Sequence, residues 1–78
     1  MKLQSILKVD PVNLYNKLNS YTITSTEAEQ LFLFVQNFPD KFINRGLSID
    51  EIKKASCKAL GRIENRNIRM WLVEIEEL

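Results

Sequence analysis

The stretch Leu47–Leu78, LSIDEIKKASCKALGRIENRNIRMWLVEIEEL, decides the fold class. Ser48 followed three positions later by Glu51 forms a capping box, in which a hydroxyl accepts a free backbone N–H and a carboxylate reaches back to the cap. This predicts a helix over about residues 49–60 that ends at Gly61. Asn65 is placed to cap a second helix over about residues 66–77. At about 100° per residue, Ile68, Trp71, Leu72, Ile75 and Leu78 fall on one stripe of the later helix. Ile49, Ile52, Ala55, Ser56 and Ala59 form a small-residue face on the earlier one. The two stripes are expected to form a core, with Trp71 against the alanines.

Toward the N-terminus, Asp10–Pro11 is a cap and first-turn pair that opens a short helix over about residues 11–19 carrying Val12, Leu14, Tyr15 and Leu18. Residues 1–9 stay open between a helical turn and an extended arm. Tyr21-Thr22-Ile23-Thr24 alternates like a strand but has no partner, so it reads as a connection. Thr26 and Glu29 fit a capping box for a helix over about residues 27–38 that stops before Pro39. The expected fold is all-α: one domain over residues 1–78, a compact bundle of three to four short helices, the last two in a helix-turn-helix-like arrangement.

The helix before Pro39 is apolar over most of its circumference, through Leu31, Phe32, Leu33, Phe34, Val35 and Phe38. Either it is the central helix wrapped by the other three, or Phe32 and Leu33 form an oligomer interface covered by a second subunit or a partner. The second reading fits the size of the chain, because a core of 78 residues supplies only about 3–5 kcal/mol. Cys57 is the lone cysteine and histidine is absent, which excludes an internal disulfide and the usual cysteine–histidine zinc site. Oligomerisation, for example as a homodimer, or docking on a partner is the remaining way to supplement the core.

Composition narrows the function as well. The sequence is 45% apolar and 27% charged, ordinary for a folded domain, and its net charge of +1 does not mark a generic polyanion binder. The longest apolar run, Leu31–Val35, is far short of the roughly 20 residues of a membrane span. Gln4, Ser5 and Lys8 interrupt any secretory signal, so no membrane association and a cytoplasmic location are expected. Without histidine, the common triads and proton transfer near neutral pH are lost. Cys57 is expected to be a packed, inert thiol. Gly46 and Gly61 are too far apart for a phosphate loop. Asp50 and Glu51 suit a helix N-terminus, and Glu74, Glu76 and Glu77 a solvated face, so no metal or cofactor is expected and the protein reads as non-enzymatic.

One charge asymmetry remains. Six of the eleven basic residues, Lys53, Lys54, Lys58, Arg62, Arg66 and Arg69, fall between residues 53 and 69, which hold a single acidic residue. Arg66, Arg69, Met70 and Val73 share the side of the last helix opposite its apolar stripe. Lys54, Lys58, Arg62, Arg66, Arg69, Met70 and Val73 are accordingly the candidate partner- or DNA-binding residues. The capped LSIDEI helix followed by the helix bearing IRMWL resembles the helix-turn-helix portion of small winged-helix regulators. That resemblance implies double-stranded DNA, with arginines on base edges and Lys54 and Lys58 on phosphates. Arginine and methionine are also enriched at protein interfaces, and Glu74 and Glu77 at the edge of the face would repel a phosphate backbone. The first expectation is thus a regulatory or adaptor protein that binds a protein partner or itself through a helical face; the alternative is a DNA-binding transcriptional regulator.

Overall fold

The computed structural model describes residues 8–78 and contains five helices among them, with no strand. They are α1 (Pro11–Asn19), α2 (Ser25–Asn37), α3 (Asp40–Ile43), α4 (Ile49–Leu60) and α5 (Arg66–Glu76). The question of residues 1–9 falls almost wholly outside the described part; Lys8 and Val9 lie in a turn before the Asp10 cap.

Four side chains set the starts of the long helices. The Val12 N–H donates to Asp10 Oδ1 at 3.0 Å, the Glu51 N–H to Ser48 Oγ at 3.1 Å, and the Ile68 N–H to Asn65 Oδ1 at 3.1 Å. The cap positions are the expected ones, but at Ser48 only the hydroxyl half of the capping box forms; among the described residues the Glu51 carboxylate does not reach back to the Ser48 N–H. The fourth differs: α2 is capped by Thr24, not Thr26, with the Glu27 N–H donating to Thr24 Oγ1 at 3.2 Å and the Thr24 N–H to Glu27 Oε1 at 3.0 Å. Both threonines have a glutamate three positions on, so the local pattern occurs twice. Tertiary contacts choose between them. The earlier frame lets Glu27 pair with Lys17 of α1 and buries Ile23 and Ala28, the residues on either side of a hydrophobic staple.

The chain reverses after α2 through a short helix that the sequence reading did not foresee. Pro39 sits at φ −61°, ready for helix, and α3 buries Phe42 completely. Gly46, at φ +83°, closes it: the Leu47 N–H donates to the Phe42 carbonyl at 3.0 Å and the Gly46 N–H to the Ile43 carbonyl at 3.1 Å. This is the Schellman arrangement, in which a left-handed residue turns the chain back onto its last carbonyls. The same bonding pattern closes α1, but there the left-handed residue is Tyr21, at φ 60°.

The four longer helices pack as a ring, α1 on α2, α2 on α5, α5 on α4 and α4 on α1, with α3 tucked against α1. Helix α2 is therefore not wrapped by the other three: α1 and α5 are its main neighbours. Ala28, Leu31, Phe34 and Val35 are buried, whereas Phe32, Leu33 and Phe38 are half-buried against the core. Leu14, Leu18, Leu31, Phe34, Phe42, Ile52, Leu72 and Ile75 are at most 1% exposed and fill the centre of the ring. Phe34 meets Phe42 and Phe38 edge-on, with centroids 6.0 and 6.3 Å apart. Each such pair contributes about 0.5–1.5 kcal/mol beyond its buried area.

Candidate functional site

Ile68, Leu72 and Ile75 of α5 are buried as the apolar stripe requires. Two other members of that stripe are corrected. Leu78 is 41% exposed, because α5 ends at Glu76 and the chain has left the helical path. Trp71 is half-buried rather than enclosed: it packs against the core cluster and its indole also meets Phe32 of α2, centroids 5.4 Å apart at 44°. Phe32 thus spends part of its ring inside the molecule.

Opposite the stripe, Arg66, Met70, Val73 and Glu77 are all exposed, with Met70 at 50% and Val73 at 39%, and Glu74 stands beside them. The spacing of these four positions, four, three and four residues, places them on one straight seam of a helix. Neither Arg66 nor Glu77 has an ion-pair partner among the described residues.

Arg69 behaves differently although it is also exposed. Its Nη1 donates to the carbonyls of Leu60 and Ile63, the latter at 2.9 Å. It therefore caps the end of α4 and fastens the connection between the two helices. Helix α4 ends at Gly61 as expected, with the glycine at φ −79°, an ordinary right-handed conformation. The reversal depends on Arg69 and on the Arg62 and Ile63 N–H groups, both donating to the Ala59 carbonyl.

The remaining basic residues fall on two sides of α4. Lys53 donates to the Leu78 carbonyl on the side toward α5. Cys57 is on the same side; it is exposed, not packed as expected, and the Glu76 carboxylate beside it pushes the thiol pKa up, away from the reactive thiolate. Lys54 and Lys58 instead line a shallow groove of about 230 Å³ between α4 and α1, with Tyr15, Asn19 and Glu51. The Arg62 guanidinium lies over the Tyr21 ring, 5.8 Å from its centroid.

The structure thus divides the seven candidate residues. Arg66, Met70 and Val73 come together on the outer face of α5; Lys54, Lys58 and Arg62 belong to the α1 side of α4; Arg69 is engaged within the fold. Tyr15, Asn19 and Tyr21, which the sequence reading did not connect with the lysines, join the second group through the α1–α4 packing. Among the described residues, no cluster of three or more acidic or cysteine side chains is close enough to hold a metal ion, and no helix is long and apolar enough to cross a membrane. No protein-family model matches the chain, and no curated protein or solved structure matches it either.

Proposed function

We propose that this chain is a small cytoplasmic, non-enzymatic regulatory or adaptor protein that binds a protein partner, a second copy included, through the outer face of α5. The observation carrying this reading is the pair Met70 and Val73, exposed together on a helix seam with an exposed arginine at one end and exposed carboxylates at the other. Apolar side chains at the centre of a charged rim are the composition of a protein interface, where burial supplies affinity and the rim supplies orientation. Duplex DNA remains the second reading, supported by Arg66 and Asn67 exposed at the start of α5, although the five-residue connection between α4 and α5 is longer than the usual tight turn of a helix-turn-helix. Arg69 and Lys53 weigh against it because both already donate to backbone carbonyls; Glu74 and Glu77 weigh against it because a phosphate backbone would repel their carboxylates.

Titration with random-sequence duplex DNA at two salt concentrations separates the two. Protein binding through α5 predicts no DNA complex at low salt. A complex that weakens steeply as salt rises would replace it with the DNA reading. Substituting Met70→Glu together with Val73→Glu is expected to abolish partner binding while the melting temperature stays within a few degrees, because neither side chain is part of the core.

A further inference from the structure

We infer that the outer face of α5 is self-complementary and pairs antiparallel with the same face of a second copy, across a two-fold axis level with the Trp71–Leu72 peptide. This rests on the reading of α5 as a protein-binding face and names its occupant. In an antiparallel pair about that axis, Arg66 lies opposite Glu77 of the second copy and Met70 opposite its Val73. Each contact is repeated by symmetry, as an isologous interface requires. The positions 66, 70, 73 and 77 follow the alternating spacing of a two-helix seam, with apolar residues in the middle and opposite charges at the ends. Glu74 flanks the seam, and Arg69, opposite it in the same register, keeps its guanidinium on the Leu60 and Ile63 carbonyls and adds only its charge.

The helix dipole supports the antiparallel sense independently. Negative groups are favoured at a helix N-terminus and positive ones at its C-terminus. Helix α5 has neither: there is no acidic residue in its first turn and no basic residue in its last, while Arg66 and Arg69 open it and Glu74 and Glu76 close it. Within one chain this arrangement is unfavourable at both ends. An antiparallel second copy brings carboxylates to the N-terminal end and arginines to the C-terminal end, correcting both. One pair of three-turn helices buries less than the roughly 1,200 Å² of a standard interface, so the dimer is weak and exchanges rapidly.

Sedimentation equilibrium of the full chain, from micromolar to millimolar concentration, tests the pairing. The wild-type mass is expected to rise toward two chains. Arg66→Glu alone, or Glu77→Arg alone, should weaken self-association at least about tenfold, because like charges then face each other twice per dimer. An equimolar mixture of these two variants should recover wild-type association as a heterodimer, since each chain then offers the charge that the other lacks. Both positions are exposed, so circular dichroism of the separate variants should show full helix.

A wild-type chain that stays monomeric at millimolar concentration overturns the pairing. If Met70→Glu still abolishes binding to a different protein, the partner reading survives that failure. Self-association unaffected by either charge reversal, or variants that do not recover on mixing, would also overturn it and place the contact elsewhere, with half-buried Phe32 and Leu33 the next surface to substitute. Duplex DNA binding unaffected by Met70→Glu would instead remove the underlying partner reading.

Discussion

Helices α4 and α5 are similar in length and lie against each other, yet their charges run in opposite senses. Asp50 and Glu51 occupy the first turn of α4 and Lys58 its last, in accord with the helix dipole. Helix α5 has the reverse arrangement. The difference separates a helix whose end charges agree with its dipole from one whose end charges oppose it. Their inner faces do not differ in this way: Ile52 of α4 and Leu72 of α5 are both fully buried.

The largest expected effect tests that shared inner face. Ile52→Ala and Leu72→Ala should each cost about 2–5 kcal/mol in chemical denaturation, while Met70→Ala should stay within about 0.5 kcal/mol. A costly Met70 substitution in the isolated chain would show that the outer face of α5 is part of the core. Next is Arg69→Ala, expected to cost about 1.5–3 kcal/mol, the range for hydrogen bonds from a charged group, because it strips the carbonyls of Leu60 and Ile63. Amide exchange should then quicken at the end of α4 more than within α5; uniform quickening would deny Arg69 its capping role.

Charge reversals sharpen the comparison further. Arg66→Glu should raise the stability of the dilute chain by about 0.3–1 kcal/mol, and Asp50→Lys should lower it by a similar amount. Equal signs for the two would break the contrast between the helices. The smallest effect lies outside both. Glu27 is held below the usual carboxylate range chiefly by its hydrogen bond to Lys17, against opposition from burial and with help from the Thr24 N–H. A carboxylate depressed in the folded state contributes its stability above its unfolded pKa and loses it as pH falls through the folded one. Acidification should therefore destabilise the wild type more than Glu27→Gln, by less than about 1 kcal/mol, because Lys17 is partly solvated.

The sequence showed α1, α4 and α5 clearly because cap and apolar period agree there, with Gly61 added as a stop for α4. It misplaced the start of α2 because Thr24 and Thr26 satisfy the same local rule, and the deciding groups, Lys17 and Ile23, lie outside the motif. It missed α3, although Pro39, Asp40, Phe42 and Gly46 carry a usable signal: a proline opening, an acidic first turn, a buried aromatic and a left-handed glycine. The outer face of α5 was legible for the same reason as its core, since one periodicity gives both. The basic cluster was not, because nearness in sequence does not say which side of α4 a lysine occupies. Nor could it show that the Arg69 guanidinium folds back onto carbonyls six and nine residues before it.

Tyr21 occupies a backbone seat that glycine fills with less strain, and its ring lies under the Arg62 guanidinium. Two chain reversals some forty residues apart are thereby clasped by a single cation on a single ring. Replacing Tyr21 with glycine relaxes the backbone and opens the clasp together, so a melting curve that does not move would conceal two opposing changes. The seam between α1 and α4 would loosen while the thermometer registered nothing.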